Sequence, residues 1–354
     1  MINNHNHYLN LAFHLAEKNL GQTKLNPSVG TVIIKNGAVI SSGVTSIQGR
    51  PHSEYNALNN LTNCSGASLY TTLEPCTHYG KTPPCINIIT KKKIKNVYYA
   101  FEDPDIRTFR KAKKILSKKG IKTKLIKTKK YKNFYKSYFI NKKLFIPFVT
   151  AKIAISKDYL TINKREKWIT NEVSRNKVHL LRNRHDCVLS TSKSINRDDS
   201  LLNCRINGLN KNKPDLFIID LKLKLKKKLS LNKYLKIRKT FLITRKNNAN
   251  KISLYKKMGY KIIFINKLEN RNDLNLLYKK IHKLGYSRML IETGLTFLNY
   301  LIKNKMIHEL FIFRSNKKLG KNGKNNSTSS YLKKIYPKLL TINLNGDNLL
   351  KKEF

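Results

Sequence analysis

The chain reads as two α/β domains in tandem, and three observations lead there. Its 354 residues exceed what one ordinary hydrophobic core organises and suit two domains of usual size. In both halves, short apolar runs with strand character alternate with longer segments of helical period, the pattern of layered α/β domains. The tyrosine- and lysine-rich segment KKYKNFYKSYFINKK (129–143) then meets the strand-like PFVTAKIAI without any Gly/Ser linker, which puts the junction near Asn141 to Pro147, and the boundary is placed between residues 145 and 146. A packed junction is expected there.

In the first half, YLNLAFHLAEKNL (8–20) has the spacing of an amphipathic helix. TVIIKNGAVISSG supplies two strands around Asn36-Gly37, a strong hairpin signal. A helix opens near His52, with Ala57, Leu58 and Leu61 on one face, and the strand ASLYTTL follows. A second helix is expected from Pro84 through Ile86, Ile89 and Ile94, with Thr77 or Thr82 as its cap. KNVYYAF, a helix near 106–119 and the strand IKTKLIK complete the half. In the second half the same alternation runs through PFVTAKIAI, TNEVSRNKVHLLRNR, DCVLS, DLFIID, TFLIT, KIIFI, DLNLLYKKIHKL, RMLIETG and TFLNYLIKNK. Residues 316–330, rich in Gly, Asn, Ser and Lys, read as a mobile loop, and TINLNGDNLLKKEF as a last strand or hairpin.

The chemistry concentrates in His52-Ser53-Glu54 and LEPCTHYGKTPPC (73–85). One imidazole and two thiolates from His52, Cys76 and Cys85 are zinc ligands, and three protein ligands leave the fourth position to water, as in catalytic sites. Bound zinc lowers the pKa of water to about 7, and Glu54, which need not bind the ion, is free to move protons. The alternatives are a closed structural zinc knot or cysteines that are simply buried; the ligand count and the nearby glutamate argue against both. H-x-E followed by P-C and a second Cys is the pattern of zinc deaminases, although eight residues separate the cysteines here. Cys64, Cys187 and Cys204 read as packing residues. Five cysteines in all suit a reducing compartment, and without a signal-like N-terminus or an apolar span the expected location is the cytoplasm, with no membrane partner.

The net charge is +52, from 72 basic and 20 acidic side chains. Such a value raises nucleic-acid binding. Yet the lysines are spread along the chain among abundant Asn and Ile, all residues of AT-rich codons, so compositional drift accounts for them without an obligate nucleic-acid partner. A polyanion partner remains the alternative.

TKLNPSVGTVIIKNG (23–37), HSE (52–54), LEPCTHYGKTPPC (73–85) and FEDPD (101–105) resemble the deaminase half of the bifunctional riboflavin-biosynthesis deaminase/reductases. PFVTAKIAISKD (147–158), WIT (168–170), LRNRHDCVLSTSKSINRDDSLLNCR (181–205) and IETG (291–294) are similar to the reductase half. The resemblance implies a cytidine-deaminase-like three-layer domain over residues 1–145 and a dihydrofolate-reductase-like domain over 146–354. It also implies one Zn2+ per chain, NADPH, and a small pyrimidine ribose-phosphate substrate that is deaminated and then reduced from ribosyl to ribityl. By the same carry-over, Asn26, His78 and Lys81 contact the deaminase substrate. Ala154, Trp168, Ser194, Asp198 and Gly294 lie at NADPH, and Arg182, Leu202, Arg205 and Glu292 at the reductase substrate. A homo-oligomer is left open.

The chain departs from the family pattern at Arg110 and Ala112, where glycines are expected, at Lys157 and Tyr159 in the SKDY turn, and at Glu166. A nucleic-acid deaminase is the rival reading, as is a family deaminase with an impaired reductase half. The first of these predicts no nicotinamide-dependent second domain.

Overall fold

The computed structural model describes residues 4–209, 214–336 and 340–354. The chain forms two compact units, Met1–Phe145 and Ile146–Phe354.

The first unit runs α1 (His5–Lys18), β1 (Gly30–Lys35), β2 (Ala38–Val44), α2 (Ser53–Leu58), β3 (Ser68–Thr71), α3 (Cys85–Lys91), β4 (Asn96–Tyr99), α4 (Lys111–Ser117), β5 (Lys122–Leu125) and α5 (Lys136–Leu144). Its sheet has the order β2-β1-β3-β4-β5. The β1–β2 hairpin and the β1–β3 pair are antiparallel, and β3, β4 and β5 are parallel. Successive side chains of a strand point to opposite faces. Ile33 and Leu69 accordingly join Leu58, Ile86, Ile89 and Leu116 of α2, α3 and α4 on one face, while Val32, Ile34 and Tyr70 join Leu9 and Phe13 of α1, Tyr135 at the cap of α5 and Tyr138 within it on the other. A sheet covered on both faces needs apolar residues at every position of its inner strands, which is why TVII reads as a continuous run. The three layers are those expected.

The second unit contains β6 (Phe148–Ile155), β7 (Ile162–Asn163), α6 (Glu172–Asn183), β8 (Cys187–Thr191), α7 (Ser192–Asp198), β9 (Asp215–Ile219), β10 (Thr240–Thr244), α8 (Ala249–Lys257), β11 (Lys261–Phe264), α9 (Arg271–Lys283), β12 (Arg288–Glu292) and α10 (Leu295–Lys303). It ends with β13 (Glu309–Arg314), β14 (Gly323–Lys324), α11 (Ser330–Ile335), β15 (Thr341–Leu344) and β16 (Asp347–Glu353). The main sheet has the order β11-β10-β9-β8-β12-β6-β13-β16-β15. It is parallel from β11 to β13, and the terminal hairpin β15–β16 adds antiparallel strands to its edge. Its core gathers Val188, Leu216, Ile218, Leu242 and Leu290 from the strands with Val178 and Ile252 from the helices.

Several local expectations are corrected. α3 ends at Lys91 rather than reaching Ile94, and neither Thr77 nor Thr82 caps it, because Pro84 occupies the cap position in an extended conformation. α4 begins at Lys111 rather than near 106, since Asp105 organises the preceding residues as a turn that accepts the N–H groups of Thr108 and Phe109. Residues 316–330 are tied down: β14 pairs with β7, the Asp158 carboxylate accepts from Leu319 and Gly320 N–H, and Asn325 bonds Thr161 and Tyr159. The glycine replacements keep a glycine-like backbone, with φ +57° at Arg110 and +63° at Tyr159, a left-handed conformation that costs a side-chain-bearing residue. Ala112 is fully buried among the residues under α4.

One glycine sets the position of α2. A Cβ on Gly43 would stand 2.3 Å from Ser53 O and 2.5 Å from Ala57 N, so only a bare Cα lets α2 lie on β2. Gly43→Ala is expected to destabilise the first unit by about 1–3 kcal/mol through overpacking and to lower its zinc content. Denaturant titration and metal analysis check this; unchanged stability would show that α2 has room to move.

Candidate metal centre and reductase pocket

Three elements bring the metal-type residues together. His52 is the N-cap of α2, Glu54 stands in its first turn, Cys76 lies in the loop after β3, and Cys85 opens α3. His52 Nδ1 is 3.6 Å from Cys76 Sγ and 3.4 Å from Cys85 Sγ. Atoms about 2.0 and 2.3 Å from one tetrahedral centre are about 3.5 Å apart, so these separations fit a shared zinc ion. Cys85 N–H also points at Cys76 Sγ at 3.2 Å, the environment of a thiolate. A side-chain hydrogen bond from the Cys85 thiol pulls the Cys76 thiol down to about 4 against the effect of burial, and His52 and the Cys85 N–H add to the pull. Cys85 moves the other way, raised by that same hydrogen bond and by burial. The set is the one His/Cys/Asp/Glu cluster of metal-holding geometry among the described residues.

Glu54 is buried, and burial, followed by the nearby Cys76 charge, raises its carboxyl above the ordinary range. Ser53 Oγ donates to Glu54 Oε2 at 3.0 Å and lies 2.8 Å from Thr31 Oγ1 on β1. A carboxyl so placed is more basic than an exposed one.

Around this centre, Asn26 donates through Nδ2 to Gly49 O at 2.8 Å, which ties the NP turn to the segment leading into His52. His78 Nδ1 is 3.1 Å from Thr108 Oγ1, and Lys81 is exposed on the cysteine loop. Arg50 was not singled out in the sequence, yet its guanidinium donates to Thr82 Oγ1 across that loop. Spacing alone gives no sign of it, because it stands outside both metal-type clusters.

In the second unit, Arg182 of α6 and Glu292 at the end of β12 form a buried two-point ion pair of 2.6 and 3.0 Å. Burial alone would raise the Glu292 carboxyl, but the Arg182 guanidinium outweighs it and lowers it. Lys152 Nζ on β6 lies 3.9 Å from the same carboxylate. Arg182 also donates to Asn203 O, and Arg205 to Asn203 Oδ1, so both arginines meet around one residue. The Leu202 side chain is buried in the core, at φ +49°, which leaves only its backbone to face a ligand. Ser194 and Gly294 line a cavity of about 660 Å³ together with Thr191, Lys193, Phe297 and Tyr300. The set does not converge entirely: Asp198 is exposed and forked by Arg197, and Trp168 is half exposed, with Arg175 over its ring. Ala154 is half-buried on β6, and Glu166 is exposed.

The family model for the RibD C-terminal domain matches residues 147–344, and that for the cytidine and deoxycytidylate deaminase zinc-binding region matches residues 2–101. The riboflavin biosynthesis protein RibD of Aquifex aeolicus is 31% identical over 319 residues, covering 88% of this chain and 87% of that protein. The chain belongs to the RibD family. The Bacillus amyloliquefaciens RibD is 36% identical over 221 residues, 61% of this chain and 59% of that protein. Among solved structures, the diaminohydroxyphosphoribosylaminopyrimidine deaminase/5-amino-6-(5-phosphoribosylamino)uracil reductase of Thermotoga maritima superposes with a TM-score of 0.82 at 25% identity, covering 99% of this chain and 98% of that one. A RibD C-terminal domain is what the nucleic-acid deaminase reading does not predict. No helix among the described residues is long and apolar enough to cross a membrane.

Two histidines of the RibD C-terminal domain set an acid limit. Burial, with Arg182 and Arg205 nearby, pulls His179 down from 6.5 to about 4, and burial with Arg288 nearby pulls His185 to about 3. Unfolded histidine takes up a proton near 6.5 and these folded ones do not. Their contribution is therefore present above 6.5 and lost progressively as pH falls toward 4 and 3. The denaturation midpoint of this unit is expected to drop across that interval, with a shallower drop in His185→Gln; a pH-independent midpoint would contradict the assigned shifts.

Proposed function

We propose that His52, Cys76 and Cys85 hold the zinc ion of the deaminase half, with Glu54 as its proton carrier. The convergence of one imidazole nitrogen and two sulfurs at tetrahedral spacing beside a buried carboxylate carries this reading. The chain acts as a bifunctional enzyme of riboflavin biosynthesis, a hydrolytic deaminase followed by a reductase, with zinc and NADPH as cofactors. Bound zinc supplies the Lewis acidity that makes water a nucleophile at neutral pH.

The chain's own residues do the rest. Glu54, fixed through Oε2 by Ser53, accepts a proton from the attacking water and returns it to the departing amine, whose loss as ammonia completes the hydrolysis. Asn26 orients the pyrimidine edge, and His78 with Lys81 faces the ribose phosphate. In the reductase half, NADPH brings the hydride, and the walls about Ser194 and Gly294 orient the nicotinamide. Glu292 meets ribose hydroxyls while Arg182, Arg205 and Lys152 provide positive charge for the phosphate. Arg182 and Glu292 already bond each other, so the pair presents a pre-shaped edge rather than two free side chains. This reading places the substrate among small pyrimidine ribose phosphates and needs neither nucleic acid nor membrane.

The reading is tested with purified full-length chain and the diaminopyrimidine ribose phosphate, with and without NADPH, products being identified by mass. Deaminated product alone is expected without NADPH, and the ribityl product with it. Glu54→Gln is expected to cut ammonia release by about 10²–10⁴-fold while zinc content and NADPH oxidation on the deaminated substrate persist. Full ammonia release from that variant would remove Glu54 from the mechanism.

A further inference from the structure

The deaminase steps leave unused a second buried carboxylate, that of Glu74, two residues before Cys76. Its Oε2 accepts the backbone N–H of Asp103 at 3.2 Å and of Arg110 at 3.0 Å, and its Oε1 that of Ala112 at 3.0 Å. Its own N–H donates to Phe101 O at 2.8 Å. With three amides on its two oxygens, the group is engaged in holding backbone, and what it holds is the segment 101–112. This includes Arg110, whose left-handed backbone is pinned by its bond to Glu74.

That segment continues into the substrate side of the site. Thr108 is fully buried; its Oγ1 accepts Thr77 N–H at 3.3 Å and lies 3.1 Å from His78 Nδ1, while Arg107 O accepts Thr77 Oγ1 at 2.9 Å. The opposite side of the segment is clamped by α5, where Lys142 Nζ meets Asp105 Oδ2 at 2.8 Å and Tyr138 OH donates to Asp103 Oδ1 at 3.0 Å. A continuous chain of bonds thus runs from Glu74 through 101–112 to His78.

We propose that Glu74 and Thr108 are positioning residues for the deaminase substrate. Glu74 shapes the 101–112 segment, and Thr108 passes that shape to Thr77 and His78, so that His78 is aimed before substrate arrives. The proposal rests on the reading above, in which His78 meets the substrate and the ion is held by other residues. A group acting this way alters ground-state binding of substrate more than turnover of what is bound.

The test uses the full-length chain carrying Glu74→Gln, Thr108→Val or Thr108→Ser. Each is assayed for KM and kcat of ammonia release, zinc per chain, and NADPH oxidation on the deaminated substrate. Gln keeps the shape of Glu74 but turns one acceptor into a donor facing a backbone N–H. KM is expected to rise about tenfold in Glu74→Gln and Thr108→Val, the loss of one net hydrogen bond, and to return in Thr108→Ser. Zinc content, kcat and reductase activity stay near wild type. An unchanged KM overturns the proposal, as does a fall in zinc content and kcat together at constant KM, which would mark a merely structural role. Wild-type chain that binds zinc and releases ammonia while His78→Ala leaves KM unaltered would instead refute the reading of His78, and the proposal with it.

Discussion

The seating of α2 on the β1–β2 hairpin is the contact on which the deaminase site depends. That short helix carries His52 at its cap and Glu54 in its first turn, and six residues of helix have little stability of their own. Tertiary bonds hold it: Ser41 Oγ donates to Ala57 O, Asn56 Nδ2 to Val44 O, and Ser53 Oγ meets Thr31 Oγ1. Gly43 keeps the backbones close enough for these bonds to form. Glu54 is thereby buried beside two sulfurs with a fixed partner for one of its oxygens.

The two cysteines reach the same point by a different route. Cys76 follows a strand whose neighbours cover both its faces, and Cys85 begins a helix whose apolar side, Ile86 and Ile89, packs under the sheet. Each of the three residues is thus placed by an element whose own position is set by hydrophobic burial, and they meet where those elements end. The intervening loop is largely exposed, and its geometry comes from polar bonds to the 101–112 segment and to Arg50.

The second unit handles charge differently. In a chain of net charge +52, carboxylates are scarce, and those that are buried or half-buried are placed with several partners each. Glu292 meets Arg182 and Lys152, Asp186 accepts from Ser287 and Arg288 N–H, and Asp158 anchors the 316–330 segment. Many of the lysines remain exposed, and they leave the fold intact because solvent and salt screen them.

The cluster of metal-type residues and the α/β class were legible in the residues themselves, because side-chain chemistry and apolar periodicity are local properties. The Asn36-Gly37 turn, the double-sided strand runs and the three metal-type residues could each be read from a few neighbouring positions. What the linear chain could not display was the role of α5, of Thr108 and of the Glu74 carboxylate, since their partners stand 30 or more residues away in several cases. Nor could it say that Arg110 and Tyr159 would accept a left-handed backbone, which depends on surrounding hydrogen bonds rather than on propensity. Local chemistry therefore determined which atoms could bind metal, and only the packing of distant segments decided where they meet and what holds them there, because backbone polar groups find their partners in space and not along the chain.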